Sequence, residues 1–217
     1  MVDPGPLDEA HLDEVARAAC AVAVVLLTHG HDDHAEAARA FAERAGCRVR
    51  ALDPQHRLGD EGLEDGDVVA VGGLEVHVVG TPGHTADSLS FVLPQERAVL
   101  TGDTVLGRGT TVVMHPDGRL GAYLESLRRL RDLAGSAALT RVWPGHGPVI
   151  DDALTVLDQY LAHRHERLEQ VREALRTLGG DPTPRQVVEH VYVDVDTVLW
   201  GAAELSVRAQ LDYLRKQ

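Results

Sequence analysis

Apolar and polar positions alternate in two styles along the chain, and each predicts a different kind of element. In the first fifty residues amphipathic and fully apolar stretches take turns. Leu12, Val15, Ala16 and Ala19 share one face at helical spacing, which predicts a helix over 7–20. Residues 22–27 form an uninterrupted apolar run, the pattern of a buried strand. An Ala-rich helix is expected over 35–45, stopped by Gly46, and a short strand over 48–52. Helix, strand, helix, strand in this order predicts an α/β layer.

From residue 67 the style changes. Apolar runs over 67–71 and 74–79 flank Gly72-Gly73, a hairpin signal, and runs over 88–93 and 97–101 joined through Pro94 predict a second strand pair. A helix over 119–133 carries Leu120, Leu124, Leu127 and Leu130 on one side, and a strand over 141–143 leads into the rigid loop Pro144-Gly145-His146-Gly147-Pro148. Beyond Asp151 only helices are expected: 153–178, ended by Gly179-Gly180; 183–192, with Thr183 as N-cap and Pro184 in the first turn; and 197–216, with Leu205, Ala209 and Tyr213 as a buried stripe. The organisation expected is one domain over 1–155 and a small helical domain over 156–217.

Composition narrows the function classes. With 44% hydrophobic and 25% charged residues the 217-residue chain suits a soluble globular protein. Its formal net charge of -13 argues against a generally basic nucleic-acid-binding surface, although the stretch from Tyr160 onward is nearly neutral. Cys20 and Cys47 are too few for a disulfide scaffold and lack metal-ligand spacing, so both are expected to be small buried residues. No run approaches transmembrane length, the first residues do not read as a signal peptide, and a reducing cytoplasm is the default setting.

The chemistry concentrates in Thr28-His29-Gly30-His31-Asp32-Asp33-His34, directly after the apolar run over 22–27. Imidazole and carboxylate are the ligands that borderline divalent cations prefer, zinc above all. His29 and His31, two apart at a strand end, can point to one side, while Asp33 and His34 can reach a second position across the turn. Three further residues, His84, Asp103 and His146, each follow an apolar run and sit beside a glycine, as a ligand presented from a loop requires. The glycine-rich stretch 106–111 lacks the spacing of a phosphate-binding loop. His115 lies in a loop where a leaving-group acid could stand, but surface placement is the better reading.

The order H-x-H-x-D-H, a later His, a later Gly-Asp and a final Gly-His resembles the metallo-β-lactamase superfamily over residues 3 to about 150. The resemblance implies a four-layer α/β/β/α sandwich and two zinc ions. It assigns His29, His31 and His84 to one ion, Asp33, His34 and His146 to the other, and Asp103 as a bridge between them. Asp3 matches an aspartate that orients ligands. The catalytic roles fall to Asp33 and Asp103, around a hydroxide shared by the two ions. Asp rather than Cys at 103 points away from the antibiotic-cleaving branch, and His rather than Glu at 31 favours zinc over the di-iron flavoprotein branch.

Within the superfamily, LGRGTT at 106–111, WPGHGPVI at 143–150 and HRHERLEQV at 163–171 resemble the β-lactamase-like-protein-2 group. That group adds a winged-helix-like C-terminal domain, which the last helices match, and a complete wing after the last helix is not expected here. Its relatives include a single-strand endoribonuclease and thioesterases acting on carrier proteins. The resemblance therefore implies a phosphodiesterase or endoribonuclease-like hydrolase first. The alternatives are an acyl-thioester hydrolase of glyoxalase-II or carrier-protein type, and a non-catalytic zinc-binding module. The substrate would be single-stranded RNA or a small ester or thioester, with no membrane partner. Family members also carry strands upstream of the Asp3 motif, so part of the first sheet is expected to lie outside this sequence and to leave apolar surface exposed.

Overall fold

A computed structural model describes residues 1–19 and 21–217. The elements run α1 (Glu9–Ala18), β1 (Val24–Leu26), α2 (Asp32–Ala35), α3 (Ala38–Ala45), β2 (Arg48–Arg50), β3 (Val68–Val71), β4 (Leu74–Gly80), β5 (Leu89–Leu93), β6 (Ala98–Gly102), α4 (Leu120–Ser136), β7 (Arg141–Pro144), α5 (Ala153–Leu178), α6 (Pro184–Val191) and α7 (Trp200–Arg215).

Two sheets form. Strands β1 and β2 pair in parallel, and Val2 adds a parallel bridge to Leu26. The second sheet has the order β3-β4-β5-β6-β7, antiparallel except for the last pair. Three apolar clusters stack around the sheets. Leu12, Phe41 and Ala42 pack on the outer face of β1–β2 through Val25 and Val49. Leu26, Val69, Val78 and Phe91 fill the space between the sheets. Val79, Val99 and Val142 face Leu124, Leu127 and Leu157 of α4 and α5. The result is the expected helix, sheet, sheet, helix layering. An apolar cleft of about 230 Å³ opens between the sheets beside Val2 and Trp143.

A fourth cluster belongs to the C-terminal helices: Val171 and Ala174 of α5, Val187 and Val188 of α6, and Val207 and Leu211 of α7. Helix α5 is continuous between this cluster and the sandwich. Thr183 caps α6 in a reciprocal capping box with Gln186. Among the described residues no helix is long and apolar enough to cross a membrane.

Several local expectations are corrected. The helix expected over 35–45 is two helices, and α2 begins at Asp32, so Asp33 and His34 sit in a helical turn and not in a loop. The α1 face expected from Leu12, Val15, Ala16 and Ala19 buries only Leu12, because one short helix lies at the rim of a layer. The α7 stripe also differs. Ala203, Val207 and Leu211 are buried against the C-terminal cluster while Ala209 faces α4, so two packing partners compete for one helix and Leu205 is left half-buried. Cys47 is half-buried where full burial is expected, and the expectation for Cys20 falls outside the described residues.

Candidate metal centre

Five chain segments converge at one end of the sandwich. The turn after β1 brings His29 and His31; α2 brings Asp33 and His34; the β4–β5 loop brings His84; the end of β6 brings Asp103; and the end of β7 brings His146. Their ligand-type atoms fall into three overlapping groups, each within 4.8 Å: His29, His31 and His84; His29, His34 and Asp103; and Asp33, His34 and His146. All seven predicted site residues are thus brought together, whereas His115 is exposed and outside these groups.

In the first group Nδ1 of His31 stands 3.1 Å from Nε2 of His29 and 3.1 Å from Nε2 of His84. Nitrogens bound to one tetrahedral zinc at about 2.0–2.1 Å stand roughly 3.3 Å apart, so the spacing is that of a shared cation. In the second, His34 Nε2 lies 3.2 Å from His146 Nε2, and His146 Nε2 lies 3.0 Å from an Asp33 carboxylate oxygen. Asp103 spans the two. Its Oδ1 is 3.3 Å from His34 and 3.5 Å from His146, while its Oδ2 is 3.8 Å from His84. Asp103 Oδ1 is also buried without a hydrogen-bond partner, an arrangement that costs stability unless a cation answers it.

The tautomers are set from behind the centre. Thr28 donates its hydroxyl proton to Asp3 at 2.6 Å, so its oxygen accepts from His29 Nδ1 at 3.0 Å. His34 Nδ1 donates to Asp3 at 2.9 Å, and His84 Nδ1 donates to the Val112 carbonyl at 2.8 Å. In all three rings the Nε2 lone pair then faces the centre. Asp3 reaches this position with φ +45°, and it also accepts from the Thr28 backbone N–H at 2.8 Å.

Electrostatics separate the rings. Burial, with His34 and His84 close by, drives His29 down to about 2, and burial also lowers His84, so both are neutral donors. For His34 burial acts downward too, but the nearby Asp103 carboxylate and the hydrogen bond to Asp3 outweigh it and raise the ring to about 10, so without a cation Nε2 carries a proton, and a cation bound there would take that proton's place. For Asp103 burial acts upward and is outweighed by the His34 ring 3.3 Å away, whose positive charge holds the carboxyl below its ordinary range. The centre therefore already favours positive charge between Asp103 and Asp3. The donor set of five imidazoles and two carboxylates, with an orphaned carboxylate oxygen between them, fits divalent metal ions.

One side is open. Asp33 and His146 are 56% and 48% exposed, while the side chains of His34 and Asp103 are 3% and 13% exposed, so the centre is open to a substrate past Asp33 and His146. Both line a cleft of about 480 Å³ that continues to Trp143, Pro144 and His11. Of the supports behind the ligands, the sequence identifies Asp3 through the resemblance, and it does not identify Thr28 or the Val112 carbonyl. Thr28 adjoins the histidine motif and its hydroxyl is a readable signal; the Val112 carbonyl leaves none.

Residues 1–146 match the family described as the metallo-beta-lactamase superfamily, and residues 183–217 match the beta-lactamase associated winged helix domain. The chain is 35% identical over 199 residues to a Beta-lactamase-like protein 2 homolog of Caenorhabditis elegans, covering 88% of this chain and 64% of that protein. It is 35% identical over 186 residues to an atrochrysone carboxyl ACP thioesterase of Aspergillus fumigatus, covering 79% of this chain and 56% of that protein. The chain thus spans between about half and two thirds of the length of these relatives. Among solved structures, a metallo-beta-lactamase family protein from Thermus thermophilus superposes with a TM-score of 0.80 at 24% identity, over 99% of this chain and 84% of that one. A beta-lactamase domain protein from Burkholderia ambifaria gives 0.82 at 24% identity, over 99% and 76%. At that identity the likeness speaks for the fold.

Proposed function

Given that the chain belongs to the metallo-beta-lactamase superfamily and carries its associated winged helix domain, we propose that it is a metal-dependent hydrolase of acyl thioesters. In this reading zinc is the metal, held as two ions by His29, His31 and His84 on one side and by Asp33, His34 and His146 on the other, with Asp103 between. Residues 1–155 form the hydrolytic unit and 156–217 the helical one. The observation that carries the reading is the division of Asp103, one oxygen toward His34 and His146 and the other toward His84.

When bound, such ions supply Lewis acidity for the scissile carbonyl and make water a nucleophile near neutral pH. The chain does the rest. His29, His34 and His84 are held with their Nε2 lone pairs inward by Thr28, Asp3 and the Val112 carbonyl. Asp33, on the open side, orients the attacking water and takes its proton. The carbonyl carbon gains the water oxygen, the C–S bond breaks, and the products are a carboxylate and a thiol.

Two observations favour a thioester over an RNA phosphodiester. A thiol has a pKa of about 8.5 and leaves near neutral pH without a dedicated acid, whereas an alkoxide needs one; the loop residue His115 is exposed and outside the centre. Secondly, the formal charge is -13 and aromatics are 4%, a poor basis for an electrostatic groove with stacking platforms. One relative whose name states an activity is a carrier-protein thioesterase, which agrees.

Zinc-loaded protein is to be assayed against S-lactoylglutathione, an acyl-CoA, labelled single-stranded RNA and nitrocefin. Thioester turnover lost in His31→Ala is the expected result. RNA cleavage lost in the same variant, without thioester turnover, overturns the substrate assignment. Zinc that resists chelation in a protein inert to all four overturns the hydrolase reading.

A further inference from the structure

Arg164 is a buried charge that the site as described does not use. It sits mid-way along α5 with 7% of its surface exposed, and among the described residues it has no carboxylate partner. Its guanidinium lies 4.9 Å from the centre of the Tyr123 ring, donates to the Thr111 carbonyl, and leaves Nε without a partner. An unpaired buried guanidinium costs free energy, so a packing role alone accounts poorly for it; a Met or Leu would fill the space more cheaply.

What Arg164 grips is the segment that follows Asp103, and that segment touches three of the seven candidate ligands. Thr111 Oγ1 donates to the Asp103 carbonyl at 2.8 Å and stands 3.2 Å from the Thr104 carbonyl. The Val112 carbonyl fixes His84 through Nδ1. Gly107 N donates to the His146 carbonyl at 2.8 Å. Three side chains from the helical layer hold the segment against the sheet. Tyr123 donates to the Thr104 carbonyl at 2.7 Å, Tyr160 accepts from the Leu106 N–H at 2.9 Å, and Arg164 takes the last carbonyl before Val112. A guanidinium reaching a main-chain carbonyl from a buried helix face makes a strong, directional tie.

We propose that Arg164 is a positioning residue of the metal centre: by fixing the Thr111 carbonyl it sets the Val112 carbonyl that orients His84 and the Thr111 hydroxyl that anchors Asp103. The proposal rests on the metal-centre reading above. It also gives the continuity of α5 a consequence. Leu168 of the same helix packs into the sandwich core, and Val171 and Ala174, about two to three turns past Arg164, belong to the C-terminal cluster. The helix that holds the ligand segment is thus the helix on which the C-terminal unit is built.

The test is equilibrium zinc binding, read by competition with a chromophoric chelator, together with the visible spectrum of the Co²⁺-substituted protein. Arg164→Met keeps an unbranched apolar stem and removes the guanidinium donors. It is expected to weaken zinc binding roughly 10- to 100-fold, the usual range for a group one step behind a ligand, and to alter the cobalt spectrum. Arg164→Lys restores part of the affinity. Leu168→Ala opens a cavity in the same helix packing and is expected to lower the unfolding midpoint with zinc affinity unchanged. Thr111→Val, nearly isosteric, cuts the tie to the Asp103 carbonyl and must weaken zinc binding even if Arg164→Met does not fold. Wild-type affinity in Arg164→Met or in Thr111→Val, or equal weakening in Leu168→Ala, overturns the proposal alone. A wild-type protein that takes up no zinc overturns the metal-centre reading, and the proposal with it.

Discussion

Replacing Asp3 with Asn tests how the centre is set from behind. The carboxylate accepts three hydrogen bonds: Oδ1 from the Thr28 N–H at 2.8 Å, and Oδ2 from the Thr28 hydroxyl at 2.6 Å and His34 Nδ1 at 2.9 Å. An amide has one acceptor oxygen. If that oxygen faces the Thr28 N–H, the NH₂ group faces His34 Nδ1, which must then give up its proton. His34 moves to the other tautomer, Nε2 carries the hydrogen, and the ring can no longer bind a cation through that atom. The Thr28 hydroxyl, now accepting from the amide, turns its proton toward His29 Nδ1 and pushes that ring the same way. Flipping the amide only exchanges this clash for one with the Thr28 N–H.

Hydrogen bonds to a charged group are worth about 1.5–3 kcal/mol each against about 0.5–1.5 for neutral ones, and at least two of the three turn from charged to neutral and reversed, so unfolding free energy should fall by about 2–3 kcal/mol. Metal affinity should fall more selectively. The ion assigned to Asp33, His34 and His146 should be lost at least 10- to 100-fold more readily, taking the zinc content after dialysis from about two per chain toward one. Elemental analysis and chelator competition give the stoichiometry and affinity, and imidazole nitrogen shifts in NMR give the tautomers. Asp3→Asn protein that keeps two ions at wild-type affinity refutes the tautomer argument, whatever happens to its stability.

Gly145→Ala would place a methyl 2.7 Å from Asp103 Oδ1 and 2.7 Å from His34 Cε1. Overpacking of this kind costs about 1–3 kcal/mol, and here zinc stoichiometry should drop with the urea midpoint. Thr183→Ala removes the capping box of α6 and should cost about 1 kcal/mol in urea unfolding without altering zinc content. For Asp65, burial acts upward, but the ion pair with Arg129 at 2.8 Å and the Gly80 N–H outweigh it and hold the carboxyl below its ordinary range. A lowered folded-state value stabilises above the unfolded one and is lost as pH falls through it. Asp65→Asn should therefore cost less than about 1 kcal/mol at pH 7, the side chain being 50% exposed, and its urea curve should converge on that of the wild type in acid.

The strands of the second sheet are legible because Gly72-Gly73 and Pro94 punctuate short apolar runs of strand length. Five of the seven candidate ligands, His29, His31, His84, Asp103 and His146, are legible for a related reason: a polar residue beside glycine at the end of an apolar run has few structural uses; Asp33 and His34 are legible from their spacing to the first two histidines. What the pattern could not supply is anything carried by main chain or by competition between neighbours. The helix over 35–45 read as one because Ala-rich sequence has no preference for where a turn breaks, and only the demand that His34 reach Asp3 places α2 at Asp32. The expected α7 stripe catches Ala209 and Tyr213, which pack on the sandwich, and misses Ala203, Val207 and Leu211, because a 3.6-residue period identifies a stripe but not a second partner on the neighbouring face. Arg164 looks in the sequence like any charge on a long amphipathic helix, and its burial follows only from where the segment after Asp103 runs.

The glycines beside the ligands point to a geometric cause. Carboxylate and imidazole atoms that must meet at about 3 Å on short side chains require the main chains bearing them to approach closely. A side chain at Gly102 would begin 2.5 Å from the Thr28 hydroxyl, and the backbone there has φ +48°, so two separate demands select glycine. At Gly145 the obstacle is the centre itself, Asp103 on one side and the His34 ring on the other. Each glycine therefore answers for a neighbouring segment and not for mobility of its own loop. Loops packed this tightly cannot relax independently, so a change at one ligand is transmitted to the others through backbone contact. This is why Asp3, distant in sequence from Asp103 and His146, can govern an ion that all three segments would share.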